Sequence, residues 1–143
     1  MDTNKVQKLI EKLSSETIQS KIDWEHAYEY EALDYNSTTD VSNIFLANEF
    51  RQISFEDSYY AHVPYFATIF IILESSISGR DGTQLRGYNV YIQDDTDNVV
   101  SLSCPQSPIY QLVNSIKSYL AKKEKSLETL IDSYLSSSDD SNH

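Results

Sequence analysis

Apolar residues recur at Val6, Leu9, Ile10 and Leu13, a three-and-four spacing that lines one face of a helix. Asp2 or Thr3 places a side-chain oxygen where the first free amides need one. This face either continues to Ile18 and Ile22 or stops at the Ser14–Ser15 pair. Residues 23–35 fit two periods. Tyr28, Tyr30 and Ala32 alternate with Glu29 and Glu31 as in a strand, while Trp24, Ala27, Tyr28 and Glu31 fall on one side of a helix. Residues 40–55 repeat the ambiguity: Asp40 would cap a helix carrying Val41, Ile44, Phe45 and Asn48, and Phe45, Ala47, Ile53 and Phe55 fit strand alternation. The second half is read as strand.

The middle of the chain is rich in Tyr, Phe, Ile and Val, which favour a pleated surface. Strands are predicted at 59–63 and 66–74. In the second, Phe66, Phe70 and Ile72 on one side match Ala67, Ile69, Ile71 and Leu73 on the other, the pattern of a central strand buried on both faces. Residues 75–87 hold Gly79, Gly82 and Gly87 and are expected to form a connection. A hairpin follows, 88–93 and 99–104, joined by Asp94-Asp95-Thr96-Asp97-Asn98, whose side chains suit turns.

Ser107-Pro108 is read as the cap and first position of a last helix. Its apolar seam runs Val113, Ile116, Leu120, Leu127, Leu130 and Tyr134, with Lys123 in the missing place, and is a candidate dimerisation surface. A helix over 108–135 spans roughly 40 Å, and a domain of this size is about 37 Å across. The helix must therefore cross the body, overhang it, or bend near residues 121–124. The expected architecture is α+β: an N-terminal helix, a mainly antiparallel sheet of three to five strands and a long C-terminal helix. One domain covers 1–135, and 136–143 form a disordered polar tail.

Charge changes this picture locally. The 143 residues carry 22 acidic and 11 basic side chains, a net charge of -11. Residues 23–57 hold nine acids against Arg51 alone, net -8, whereas 1–22 are net +1, 58–103 net -3 and 104–143 net -1. Direct nucleic-acid binding and docking on anionic membranes both need clustered Lys and Arg, so both are disfavoured. No signal-peptide pattern or 18-residue apolar run is present, and Cys104 is the single cysteine, which together predict a soluble cytoplasmic protein. Six of eleven tyrosines (Tyr28, Tyr30, Tyr35, Tyr59, Tyr60, Tyr65) lie in or just after the acidic segment, as an interface or a half-exposed sheet face would have them.

Catalytic and metal motifs are missing. His26, His62, His143 and Cys104 have no zinc-ligand spacing. A calcium loop counted from Asp95 would need Gly and Glu where Val100 and Gln106 stand. Cys104 has no activating neighbour, and Ser78-Gly79-Arg80-Asp81-Gly82 is not a phosphate loop. Neither a cofactor nor a metal is expected.

Three functions follow as expectations. The first is a non-catalytic acidic protein-binding module that, like inhibitors and immunity proteins which mimic nucleic-acid charge, fills the basic groove of a nucleic-acid-handling partner or toxin. Its partner-binding residues would be Trp24, Glu25, Glu29, Glu31, Asp34, Glu56 and Asp57. The second is a small-ligand or nucleotide-binding protein or enzyme using Arg80, Arg86 and His62. The third is a structural domain that forms a homodimer through the C-terminal seam.

Overall fold

The computed structural model describes residues 2–30, 51–77 and 82–140, the last three by backbone alone. Its elements are helix α1 (Thr3–Ile18), strand β1 (Glu25–His26), a 3-10 turn (Ala27–Glu29), strands β2 (Arg51–Val63), β3 (Ala67–Ile77), β4 (Gln84–Gln93) and β5 (Val99–Leu102), and helix α2 (Gln106–Asp140). Among the described residues the strands form one antiparallel sheet in the order β1-β2-β3-β4-β5. The α+β expectation is met in class, strand direction and placement of both helices.

Helix α1 begins where the pattern puts it, with Asp2 Oδ1 accepting the Asn4 amide at 2.9 Å. It runs unbroken through Ser14 and Ser15. Val6, Ile10 and Leu13 bury against Ile109, Leu112, Val113 and Ile116 of α2 and against Tyr59, Ile69, Ile71, Tyr88 and Val90 on one face of the sheet. The other face carries a smaller cluster: Ala27, Tyr60, Phe70 and Ile72, flanked by Tyr30, Ile53, Phe55, Tyr91 and Val99. Strand β3 is thus buried on both faces at Ile69–Leu73, as its double apolar pattern requires.

The boundaries depart from the pattern in several places, among them β5, which ends at Leu102 rather than at 104. Residues 75–77 and 84–87 are strand, paired Ser75–Arg86, Ser76–Leu85 and Ile77–Gln84, which shortens the expected 75–87 connection. Gly87 sits within β4 because Gln106 crosses it: a Cβ there would lie 2.9 Å from Gln106 Oε1. That same side chain accepts the Tyr88 amide and donates to the Tyr88 carbonyl, both at 2.9 Å, so Gln106 behaves like a fragment of extra strand. The last helix accordingly starts at Gln106 rather than at a Ser107 cap, and Pro108 falls in its first turn, where a missing N–H costs nothing. Finally α2 runs without interruption through 121–124 and past 135; residues 136–140, expected in the tail, are helical. Phe66 belongs to the 64–66 turn, not to β3, and Tyr65 there has φ 63°.

Strand β2 contains an irregularity with its own chemistry. Ser54 pairs with Leu73 and Tyr59 with Ile71, so residues 55–58 bulge against Ile72 alone. The buried Ser58 hydroxyl fills the gap in the ladder, accepting the Leu73 amide at 2.8 Å and donating to the Ser54 carbonyl at 2.6 Å. Ser58→Ala removes the Leu73 partner shown here and should cost about 1–3 kcal/mol. Ser58→Thr, which keeps the hydroxyl, should cost less. Urea unfolding of both variants measures the difference, and equal losses would sink the ladder role.

Of the two sequence readings for residues 23–35, the described part supports a brief strand followed by a 3-10 turn, not a helix. Residues 31–50, including most of the second ambiguous segment, lie outside the described residues; Arg51 to Phe55 are strand.

Candidate functional site

The short strand β1 decides where the acids go. Its register, Glu25 with Tyr60 and His26 with Tyr59, lays the N-terminal part of the acidic segment along the free side of β2, next to the bulge. His26 Nδ1 lies 3.1 Å from the Glu56 carbonyl, joining β1 to the bulge directly. The His26 ring stacks on Tyr28 with centroids 5.1 Å apart and planes 12° apart, and tilts against Tyr59 at 5.3 Å. Tyr28 is 54% exposed. Glu29 and Glu56 are exposed, Glu25 is half-buried, and the Glu25 carboxylate accepts the Tyr60 hydroxyl. Among the described residues, one sheet edge therefore holds Glu25, Glu29 and Glu56 at neighbouring backbone positions, with Glu25 on the Tyr60 face and the His26–Tyr28 stack on the Tyr59 face.

Two neighbouring acids have other work. Asp23 Oδ1 accepts the Tyr119 hydroxyl at 2.6 Å and the Lys123 ammonium at 2.9 Å, clasping the edge to α2. The Tyr119 hydrogen bond, then the Lys123 one, hold the Asp23 carboxyl below its usual range. Asp57 accepts the Ser54 hydroxyl at 2.9 Å inside the bulge.

Across the sheet, Glu74 collects three donors on the face away from the helices: the Arg51 guanidinium, Asn89 Nδ2 at 2.7 Å and the Tyr91 hydroxyl. Burial pushes its carboxyl up, but the Arg51 and Tyr91 hydrogen bonds and the Arg51 charge outweigh that and leave it lowered. This cluster ties β2, β3 and β4 together. All three of its donors are engaged with Glu74, which marks it as a structural tie.

The sequence-predicted residues divide as follows. Glu25 lies on β1, Glu29 in the turn after it, and Glu56 and Asp57 in the neighbouring bulge of β2. Trp24 is corrected: it is 0% exposed, packed in the main core, and its Nε1 donates to Thr17 Oγ1 at 2.9 Å, so it cannot meet a partner. Glu31, Asp34 and Arg80 lie outside the described residues. His62 and Arg86 are corrected as a joint ligand site. Their neighbours on β3, Thr68 and Ser75, are seven positions apart, which sets the two side chains near opposite ends of the sheet, about 23 Å apart along a strand. His62 instead contacts the Thr68 hydroxyl at 2.6 Å. Val113 and Ile116 are corrected as dimer contacts, since both are buried in the protomer's own core. Leu120 packs partly on that core, and Leu127, Leu130 and Tyr134 are exposed. Cys104 is half-buried, and burial pushes its thiol up, away from nucleophilic reactivity.

Sequence reasoning missed the aromatic half of this edge, the His26–Tyr28 stack. Alternation gave no sign of it, because the stack depends on the chain leaving β1 through a 3-10 turn.

Three tyrosine hydroxyls are pushed up to about 12, chiefly by burial: Tyr59, then raised by Tyr88 and Asp57; Tyr91, then by Glu74; and Tyr119, then by Asp23. A raised folded value favours the neutral form, so this contribution to stability is whole below the ordinary 10.0 and is lost as pH rises through 12. Absorbance at 295 nm should show these tyrosines ionising after the rest, together with loss of the fold; ionisation of every tyrosine near 10 in a folded protein would contradict the burial.

Among the described residues no helix is long and apolar enough to cross a membrane. No protein-family model, curated protein or solved structure matches the chain.

Proposed function

We propose that this chain is a non-catalytic protein-binding module of the inhibitor or immunity type, which offers its acidic β1 edge to the basic groove of a nucleic-acid-handling protein or toxin. One observation carries this reading: the β1 pairing and the His26–Glu56 contact set the backbones of Glu25, Glu29 and Glu56 along one edge of the described sheet, with the His26–Tyr28 stack on the same edge. Carboxylates so placed attract a cationic groove and speed encounter, and a half-exposed aromatic pair supplies apolar contact area at low entropic cost. The edge is also held in shape. Asp23 fastens it to α2, Glu25 is oriented by Tyr60, and His26 is fixed on the bulge. A rigid acidic surface loses little entropy on docking.

The test is a panel of basic nucleases titrated with the protein at low and high salt, reading both binding and nuclease activity. A nuclease that is bound and blocked should be released by the combined substitution of Glu25, Glu29 and Glu56 by Gln, with affinity falling at least about tenfold. The thermal midpoint should hold, because Glu29 and Glu56 are exposed and Gln can still accept from Tyr60. Affinity equal at low and high salt, or untouched by the triple substitution, would refute the reading.

A further inference from the structure

Helix α2 has two halves that face different surroundings. Ile109, Leu112, Val113 and Ile116 are buried against α1 and the sheet, and Tyr119 and Leu120 are the last side chains packed there. Among the described residues, Lys123 is the last of α2 to bond to the body, through Asp23. Every residue from 121 to 137 is exposed, yet the helix continues to Asp140. The stretch beyond Lys123 is thus an arm of 17 residues, about 25 Å long at 1.5 Å per residue. It carries five large apolar side chains in the open: Leu127, Leu130, Ile131, Tyr134 and Leu135, between 48% and 71% exposed. A bare helix of this length is marginal in water, and exposed apolar stripes mark association surfaces.

We propose that the arm is covered by the arm of a second copy of this chain, packed antiparallel. Charge selects this occupant and its direction. Where the arm leaves the body stand Lys122 and Lys125 against Glu124, net +1, beside Lys123, which is held by Asp23; the remainder carries Glu128, Asp132, Asp139 and Asp140 and no basic residue, net -4. An antiparallel pair lays the basic foot of each copy beside the acidic end of the other. A parallel pair would stack lysines on lysines and acids on acids, and would bring two acidic bodies side by side. The body also limits the overlap. Below Lys123 the apolar face of α2 is occupied by the protomer's own core, so the overlap begins at Glu124. The symmetry axis then passes near residue 132, with Leu130 of one copy beside Tyr134 of the other. This surface is separate from the acidic edge, so the two proposals stand or fall independently.

Sedimentation equilibrium of the full chain, from micromolar to submillimolar concentration, tests the pairing. The expected result is a monomer–dimer equilibrium that weakens as salt rises. Leu127→Glu with Leu130→Glu should raise the dissociation constant at least about 100-fold while leaving the thermal midpoint of the body in place, since both positions are exposed. Direction is read by disulfide formation in a Cys104→Ser background. Antiparallel arms should link a Ser126→Cys chain to a Ser137→Cys chain and give little of either homodimer. A chain that stays monomeric throughout overturns the proposal and leaves the stripe to a different protein. A dimer indifferent to the two Glu substitutions, or one that links Ser126→Cys to itself, also overturns it.

Discussion

Trp24→Ala should lower stability by about 3–5 kcal/mol, the range for deleting a fully buried aromatic. A domain's whole stability is about 5–15 kcal/mol, so this single change should leave the protein partly unfolded at 37 °C or nearly so. The indole is 0% exposed and belongs to the same cluster as Ile10 and Leu13 of α1 and Ile22 of the connection that follows it. Its N–H is not stranded: it donates to Thr17 Oγ1, which in turn donates to the Leu13 carbonyl at 2.6 Å. Trp24→Phe keeps most of the volume and loses that bond, so it should cost about 1–2 kcal/mol. The urea midpoint separates the two variants. If Trp24→Ala weakened partner binding in a protein of unchanged midpoint, the core assignment would be wrong.

Glu74→Ala should cost about 3 kcal/mol, because one carboxylate is the shared acceptor for Arg51, Asn89 and Tyr91, and removing one side of a half-buried ion pair leaves the other poorly compensated. Glu74→Gln retains an acceptor and the shape but not the charge, and should cost about 1 kcal/mol. The pH dependence has a definite sign. The folded Glu74 carboxyl lies below its ordinary 4.5, so its contribution is present above that pH and is lost as pH falls through the lower folded value. Asp23 contributes to the same acid limb. The measurement is therefore the difference between the parent and Glu74→Gln, whose stability should converge as the medium is acidified below 4.5. Parallel curves at all pH values would show that the charge on Glu74 contributes nothing.

The elements that could be read from the sequence were those whose pattern is set by a single environment. Helix α1 and strand β3 face the same kind of surroundings from end to end, so Val6–Ile10–Leu13 and the double-sided 69–73 run declared themselves. Helix α2 was legible as a helix but not as two halves, because Val113 and Leu127 look alike in a seam. Only the position of α1 and the sheet makes one of them core and the other surface. The start of α2 was misplaced for a comparable reason: Ser107-Pro108 is a good local signal, and it was overridden by Gln106 reaching 18 residues back to Tyr88. At the candidate site, the concentration of charge in residues 23–57 was visible in the sequence. The burial of Trp24 was not, since a tryptophan between two acids reads as surface until the chain's return to Thr17 is known.

Residues 109–140 contain neither glycine nor proline, so α2 passes from core to arm without a joint. Whatever holds the arm therefore fixes the bearing of the sheet as well. A tilt of about 10° at Lys123 would move the far end of the arm by only about 4 Å, given its length at 1.5 Å per residue. The protein is built as a head on a stiff handle, and gripping the handle aims the head.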